Sequence, residues 1–365
     1  MIKKIYIKNF KALKTVDIEL SNINIFTGLN GMGKSTMIQA LLLLRQSSEI
    51  LSKEIKLQGS LIDIGEFKDA FCEWPTDDDI IQFRLTMSDN KVLNFESQYL
   101  EKKDSETVLD TLQYQSYIEN LSLFGIDSFM YLSANRIIPA DSYVTNKTSI
   151  NNKQLGNRGE FAPHYYHHNF NKDISIRELS YNQNDEIFSL EYQLNYWLSV
   201  ISPSVQVHTE INNDLVVLKY SYKTKSLNTS KYKAKNAGFG LTYVFSVLVA
   251  ILSAKKGDLI IIENPESHIH PRGHSELTRL LALAAKNGVQ VIIETHSDHI
   301  LYGLRIAIKE KEISNNQAKI YYFDRDEDEH FSKVYPIMID EYGRMERSVR
   351  KYFNEYESHL DRLMS

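Results

Sequence analysis

GLNGMGKST, Gly28 to Thr36, joins an apolar run ending at Phe26 to a second one, MIQALLLL, that starts at Met37. The spacing is G-x-x-x-x-G-K-S, set between a strand pattern and a helix pattern. Each residue type has a physical reason. Glycines let the loop curl so that backbone N–H groups converge on one anion. The start of the following helix adds positive potential at the same point. Lys34 is placed to neutralise β- and γ-phosphate charge, and Ser35 offers a hydroxyl to Mg²⁺. The alternative, a chance glycine loop ahead of a core helix, leaves all four fixed positions filled by coincidence. The stretch predicts a phosphate cradle on an α/β fold.

On the N-terminal side, Ile2, Ile5 and Ile7 recur with a period near two, which predicts a strand. Far downstream, LTYVFSVLVAILSA from Leu241 reads as a buried helix and DLIIIE as a strand. A helix over Ser275 to Lys286, the strand Val289 to Thr295 and a helix from Asp298 follow. Strand, helix, strand, helix predicts a parallel sheet. Between these ends lie short alternating runs, such as Ile80 to Met87 and Asp214 to Lys223, a helix near Glu186 to Ser199, and polar loops. The last fifty residues hold two strands, KIYYF and SKVYPIMI, joined by the acidic turn DRDEDEH, with a helical tail from about Glu346. The expected organisation is a core from residues 1–50 and 236–310, an insertion over 51–235 that includes remaining core strands, and a C-terminal hairpin and tail over 311–365.

Composition narrows the class. Of 365 residues, 42% are hydrophobic and 24% charged, which predicts a packed core. A net charge of −5 argues against a generally basic nucleic-acid binder but leaves room for a local basic patch. A single cysteine, Cys72, cannot form an internal disulfide. The start MIKKIYIKNF lacks a signal-peptide core, and the longest apolar segment, Leu241 to Leu252, is too short to span a bilayer. A soluble cytoplasmic protein is expected.

The second informative stretch is LIIIENPESHIHPRG, Leu259 to Gly273. An apolar strand stops at Glu263, where a carboxylate beside a nucleotide site would hold Mg²⁺. Asn264 follows, then Pro265 and Glu266. NAGFGLTYV, Asn236 to Val244, places Gly238 and Gly240 ahead of the buried helix, and ETHSDH places His296 just past a strand end.

That order resembles the ABC-type ATPase head. IYIKNFKAL followed by IFTGLNGMGKST is similar to the heads of RecF, SMC and OLD-type proteins. ENPESHIHPRG with VIIETHSDHIL resembles a narrower family of bacterial ABC-type AAA ATPases whose C-terminal region is a domain of unknown function. YLSANRIIPADSY, Tyr131 to Tyr143, resembles the same family, which usually has an acid where Asn135 stands. Some relatives, such as the Septu ATPase, belong to anti-phage systems in which a separate nuclease cuts. The resemblance implies a P-loop NTPase of the ABC-ATPase head type, with a mixed central sheet flanked by helices and a large insertion between lysine loop and signature turn. Asn30, Gly31, Gly33, Lys34, Ser35 and Thr36 match the ATP loop, with Lys11 as a basic residue near the nucleotide. Ser35 and Glu263 match the Mg²⁺ ligands. Asn236, Gly238 and Gly240 match the signature turn that meets the other subunit's γ-phosphate, and His296 matches the switch histidine. Gln58 is the candidate for the loop glutamine of the Mg²⁺ shell.

At Asn264 such heads carry a glutamate that activates water. An amide orients water but is a very poor base. Asn also suits the turn before a proline. Slow hydrolysis is expected, with Glu266 the surviving base and His296 beside it.

Other features have plainer readings. His164 to His168 reads as a solvated loop in preference to a metal site. His268, His270 and His274 fall in the stretch that the resemblance places between subunits. KTKSLNTSKYKAK, Lys223 to Lys235, holds five lysines that either meet nucleic-acid phosphates or protect a strand edge. No zinc-nuclease or H-N-H-like cluster follows the core, and the chain is too short to add a Toprim nuclease. The expected partners are a second copy or a higher oligomer and a separate effector such as a nuclease, with DNA or RNA left open and no membrane. The rival reading is a RecF-like DNA-binding repair ATPase.

Overall fold

The computed structural model describes residues 1–48, 55–76, 78–98, 107–108, 121–182, 184, 186–225 and 227–346. Strands are β1 (Ile2–Phe10), β2 (Leu13–Glu19), β3 (Ile23–Gly28), β4 (Ile80–Met87), β5 (Val92–Gln98), β6 (Thr107–Val108), β7 (Phe129–Leu132), β8 (Tyr143–Val144), β9 (Val205–Asn212), β10 (Leu215–Tyr222), β11 (Tyr232–Lys233), β12 (Leu259–Glu263), β13 (Gln290–Glu294), β14 (Ala318–Arg325) and β15 (Ser332–Ile337). The longer helices are α1 (Lys34–Ser48), α2 (Ala162–Asn169), α3 (Leu190–Ile201), α4 (Phe239–Leu252), α5 (Pro271–Lys286) and α6 (Asp298–Lys309).

The central sheet has the order β15-β14-β3-β13-β12-β7. Every pair from β14 to β7 is parallel, and only β15 runs back. A parallel sheet is covered on both faces, so its strands read as continuous apolar runs. Ile260, Ile262, Val291 and Ile293 pack into one core with α3, α4, α5 and α6. Leu259, Ile261 and Ile292 pack into the other, with α1 and the antiparallel sheet β2-β1-β4-β5-β6. Helix α4 is apolar on all sides because it is buried from Leu241 to Leu252. A smaller sheet of β8, β9, β10 and β11 lies in the region read as insertion.

Two buried polar contacts lock distant segments. Gln290, fully buried, accepts from the Ile2 N–H at 2.9 Å and donates to the Ile2 carbonyl at 2.6 Å. That pairing ties the first strand of the antiparallel sheet to β13. Lys153 pairs with Asp258, just ahead of β12, and both side chains are below 10% exposed. Asp258 also accepts from the Lys255 N–H at 2.8 Å.

Several expectations change at their edges. The helix expected near Glu186 begins after Ser189, whose hydroxyl accepts from the Tyr192 N–H. The helix expected from Ser275 begins at Pro271, because proline suits a first helical position and the His270 ring accepts from the Arg272 N–H. His164 to His168 form most of α2, not a loop. Pro163 favours its first turn, and the buried His164 accepts from the Asn146 N–H at 3.0 Å. The helical tail expected beyond Glu346 lies outside the described residues.

Removing one partner of a buried ion pair costs about 3–5 kcal/mol, because the other charge is left unpaired. Lys153→Met is expected to lower unfolding stability by about that amount, measured as a fall in the urea midpoint. Adding Asp258→Asn should recover part of the loss, whereas a double variant as unstable as the single one contradicts this account of the pair.

Candidate functional site

The phosphate loop leaves β3 at Gly28 and enters α1 at Lys34. Gly28, Gly31 and Gly33 have φ of 134°, 76° and 98°, values that side chains rarely adopt. Space excludes side chains as well. A Cβ on Gly28 would lie 2.2 Å from the Phe323 carbonyl oxygen, and one on Gly33 would lie 2.1 Å from Ser332 Oγ. The β14–β15 hairpin is therefore pressed against the loop. Arg325 reaches over it and donates to the Gly31 carbonyl at 2.7 Å. Lys34 is nearly buried, and its Nζ donates to the carbonyls of Gly28 and Leu29 at 2.8 and 2.6 Å. Burial pushes its pKa down, and the Glu294 carboxylate opposes that shift. Asn30, Gly31 and Ser35 are exposed, and Thr36 is half-buried.

Beside the loop, β13 and β12 end level with it. The register aligns Phe26 with Glu294, and Glu294 with Glu263. Glu263 accepts from the Tyr131 hydroxyl and from the Ala134 N–H, both at 2.9 Å. Glu294 accepts the Ser35 hydroxyl at 2.8 Å, and its other oxygen, Oε2, is buried without a partner among the described residues. Burial pushes the Glu294 pKa up to about 7, the Ser35 hydrogen bond opposes this, and the nearby Glu263 charge adds to it.

The turn after β12 is held from beneath by Arg136, which is completely buried. Its guanidinium donates to the Glu263 carbonyl at 2.7 Å and to the Asn264 carbonyl. It also lies over the Tyr243 ring, 5.2 Å from the centroid. Burial lowers its pKa to about 10, which still leaves it cationic at neutral pH. Asn264 has φ of 44°, the left-handed region that Asn tolerates better than most residues. Its N–H donates to the Glu294 carbonyl at 2.7 Å. Glu266 is buried, and its Oε1 accepts from the Thr295 hydroxyl at 2.6 Å and the His296 N–H at 3.3 Å. Burial raises its pKa. The His296 pKa is lowered by partial burial and by Lys34, while a contact with the Gly28 backbone opposes the shift.

The turn from Asn236 to Gly240 meets the same corner. Asn236 closes a short 3-10 turn, and Gly238 caps α4 in an extended conformation with open space around it. Gly240 is different. A Cβ there would lie 2.1 Å from the His268 carbonyl oxygen, so glycine is what lets α4 approach the ENPESH turn. The His268 ring packs edge-on against Phe239 and Tyr243 at 4.8 and 4.7 Å. His274 joins that turn to the segment after β13: one ring nitrogen contacts Ser297 Oγ at 3.0 Å and the other the Ile269 carbonyl at 2.9 Å.

The loop, both strand-end glutamates, the ENPE turn and His296 thus share one end of the sheet. Lys11 lies to the side, with Nζ donating to Gln39 at 2.8 Å. It lines a cleft of about 730 Å³ with Phe71, Trp74, Arg325, His330 and Phe331. Gln58 is exposed, and its amide donates to the Gly65 carbonyl at 3.3 Å. The Ser35 hydroxyl is met by Glu294 instead. Glu294 and Arg136 were not among the residues picked from the sequence. Glu294 had a readable signal, since VIIE ends in an acid just as LIIIE does. Arg136 sits in YLSANRIIPADSY, but nothing in that stretch shows that it binds the Glu263 and Asn264 carbonyls, 127 and 128 residues away.

A divalent cation fits here chemically. Ser35 supplies a hydroxyl and Glu294 a carboxylate oxygen that lacks a donor. Mg²⁺ commonly uses one or two such groups and takes its remaining ligands from phosphates and water.

The raised Glu294 pKa has a signed consequence. A carboxyl near 7 in the fold, against the usual 4.5, is protonated more readily folded than unfolded. Stability therefore falls as pH rises from about 4.5 to about 7 and is level above that. At 1.36 kcal/mol per decade, the penalty above pH 7 is on the order of 3 kcal/mol. Glu294→Gln mimics the protonated form. Metal-free melts should show it equal to wild type near pH 4.5 and more stable at pH 8. A difference that does not change with pH counts against this account.

The comparisons agree with this geometry. Residues 23–301 match the family described as "AAA domain, putative AbiEii toxin, Type IV TA system". Residues 313–363 match "Protein of unknown function (DUF3696)". No curated protein matches the chain. Among solved structures, an SMC head bound to the C-winged helix domain of ScpA is 12% identical, with a TM-score of 0.53, covering 92% of this chain and 98% of its own. An SMC head with an extended coiled coil, bound to the C-terminal domain of ScpA derived from Pyrococcus furiosus, is 12% identical, with a TM-score of 0.56, covering 100% and 99%. The fold is thus that of an ABC-type ATPase head, and the chain belongs to the AAA domain family described as putative AbiEii toxin, carrying a C-terminal DUF3696 region.

Proposed function

We propose that this protein binds ATP with Mg²⁺, hydrolyses it slowly, and closes as an ATP-sandwich dimer that regulates a separate effector such as a nuclease, in a setting such as anti-phage defence. The observation that carries the reading is the convergence of phosphate loop, ENPE turn and signature turn on one sheet end. Lys34 would exchange its two loop carbonyls for β- and γ-phosphate oxygens. Mg²⁺ would supply charge neutralisation at those phosphates. Trp74 and Phe331, beside Lys11, offer apolar faces for a nucleobase.

The signature turn supports dimer closure. Gly238 faces open space, while two residues on Gly240 is locked to His268 of the ENPESH turn. A partner's γ-phosphate at Gly238 would therefore act on the turn that carries Asn264 and Glu266. Leu29 on the phosphate loop and Phe239 beside Gly238 are both exposed apolar residues of the kind a closing face would cover. The RecF-like alternative has weaker support. Within Lys223 to Lys235, Lys233 and Lys235 are both paired with Asp141, which lowers the charge on offer to phosphates.

Two tests follow from this arrangement. Gly238→Asp sets a carboxylate where the partner's phosphate would sit, leaving the chain's own loop intact. Sedimentation with a non-hydrolysable ATP analogue should show closure by the wild type and none by the variant; closure by both sinks the sandwich. Hydrolysis is limited by Asn264, since general-base help is worth about 10²–10⁴-fold. Asn264→Glu restores a carboxylate against roughly 1 kcal/mol of left-handed strain. Single-turnover hydrolysis should speed up by at least about tenfold, and Glu266→Gln, which removes the remaining carboxylate of the turn as a base, should slow it further. Rapid wild-type turnover that ignores both changes would refute the slow-timer reading.

A further inference from the structure

Two neighbouring parallel strands close on a glutamate in the same register, Glu263 on β12 and Glu294 on β13. Their surroundings differ in a way that separates their roles. Both oxygens of Glu263 are held by donors of its own scaffold, the Tyr131 hydroxyl and the Ala134 N–H. Those donors come from β7 and the segment after it, on the side of β12 away from β13 and the phosphate loop. Glu294 is 4% exposed, and its Oε1 takes the hydroxyl of Ser35, the residue after the loop lysine. Its Oε2 is buried and has no donor among the described residues.

Leaving a buried carboxylate oxygen without a donor is costly, and such groups call for a ligand. The neighbours identify the ligand class. Lys34, the nearby cation, has its Nζ committed to the Gly28 and Leu29 carbonyls. What remains is a hydroxyl and a carboxylate side by side, hard oxygen donors at the mouth of a phosphate loop. We propose that Glu294, together with Ser35, receives the divalent cation that accompanies the nucleotide, while Glu263 is the supporting acid that fixes the ENPE turn to Tyr131 and Ala134. This assignment rests on the nucleotide reading above and moves the cation from the acid of β12 to that of β13.

The assignment has a consequence that a purely structural role for Glu294 lacks. Without a cation, the Glu294 carboxylate faces incoming phosphate charge and opposes it. With a cation, the same carboxylate becomes a ligand and favours binding. Glu294→Gln removes both effects, so the two arms of one experiment move in opposite directions.

The experiment is calorimetric binding of a non-hydrolysable ATP analogue, in excess Mg²⁺ and in EDTA, to the full chain and to Glu294→Gln, Glu294→Asp, Glu263→Gln and Lys34→Ala. In wild type, Mg²⁺ should tighten binding by at least about tenfold. Glu294→Gln should lose most of that gain while its affinity in EDTA holds or improves. Glu294→Asp keeps the charge and should keep part of the gain, which guards against a folding defect in the first variant. Glu263→Gln should keep the gain. A full Mg²⁺ gain in Glu294→Gln, or its loss in Glu263→Gln alone, overturns the assignment. Loss of binding by Lys34→Ala in both conditions supports the nucleotide site independently. No binding by wild type in either condition overturns that reading and this assignment with it.

Discussion

Unbroken parallel pairing of β3, β13 and β12 is the constraint on which the rest depends. The ladder aligns Phe26, Glu294 and Glu263 across three strands. It therefore fixes the heights of the phosphate loop and of two carboxylates with backbone hydrogen bonds alone. A slip of one residue in β12 or β13 would turn its acid into the core and an isoleucine toward the loop. The apolar runs that make the sheet are thus also what calibrates the site. Side chains from Leu259 to Ile262 alternate between the two cores, so both faces resist a slip.

Burial of polar groups at this corner is dense and mostly satisfied. Arg136 reaches the backbone of Glu263 and Asn264 from a position with no exposure. Keeping a guanidinium there is justified energetically only if it meets several acceptors at once. It does so by binding carbonyls, which leaves the carboxylates of Glu263 and Glu266 to other donors. The exceptions are Arg136 Nε and three buried oxygens, Asn264 Oδ1, Glu266 Oε2 and Glu294 Oε2, all without partners among the described residues. The oxygens cluster on one turn and the strand beside it. Native structures leave few such groups, and each calls for an explanation such as a catalytic role or a bound ion.

Much of this was legible in the sequence for physical reasons. The phosphate loop was, because its glycines have no substitutes at those φ values. The parallel strands were, because two-sided burial erases alternation in favour of continuous apolar runs. The middle of the chain was harder. Strand β7 is four residues long, FMYL, and only its parallel pairing with β12 at the edge of the sheet identifies it. The histidines of α2 looked like a loop, because a helix packed beneath a small sheet needs few apolar residues on its outer face. Asn264 was read mainly as a missing base, whereas its left-handed φ shows that the turn itself also asks for Asn. Glu294 was hidden by its neighbour, since the histidine two residues on carries the more familiar signal.

The β14–β15 hairpin bears on inheritance. The AAA match ends at residue 301 and the DUF3696 match begins at 313, so in sequence they are two modules. In space they share one sheet. β14, from the second module, hydrogen-bonds along the whole of β3 from the first. The second module also supplies the Phe323 carbonyl and the Ser332 hydroxyl that leave room only for glycine in the phosphate loop. Neither module can then be exchanged alone. A recombinant that joined this loop to another family's C-terminal region would leave β3 at an open sheet edge and Gly28 without its neighbour. The boundary between two sequence families thus runs through the middle of one hydrogen-bonded sheet.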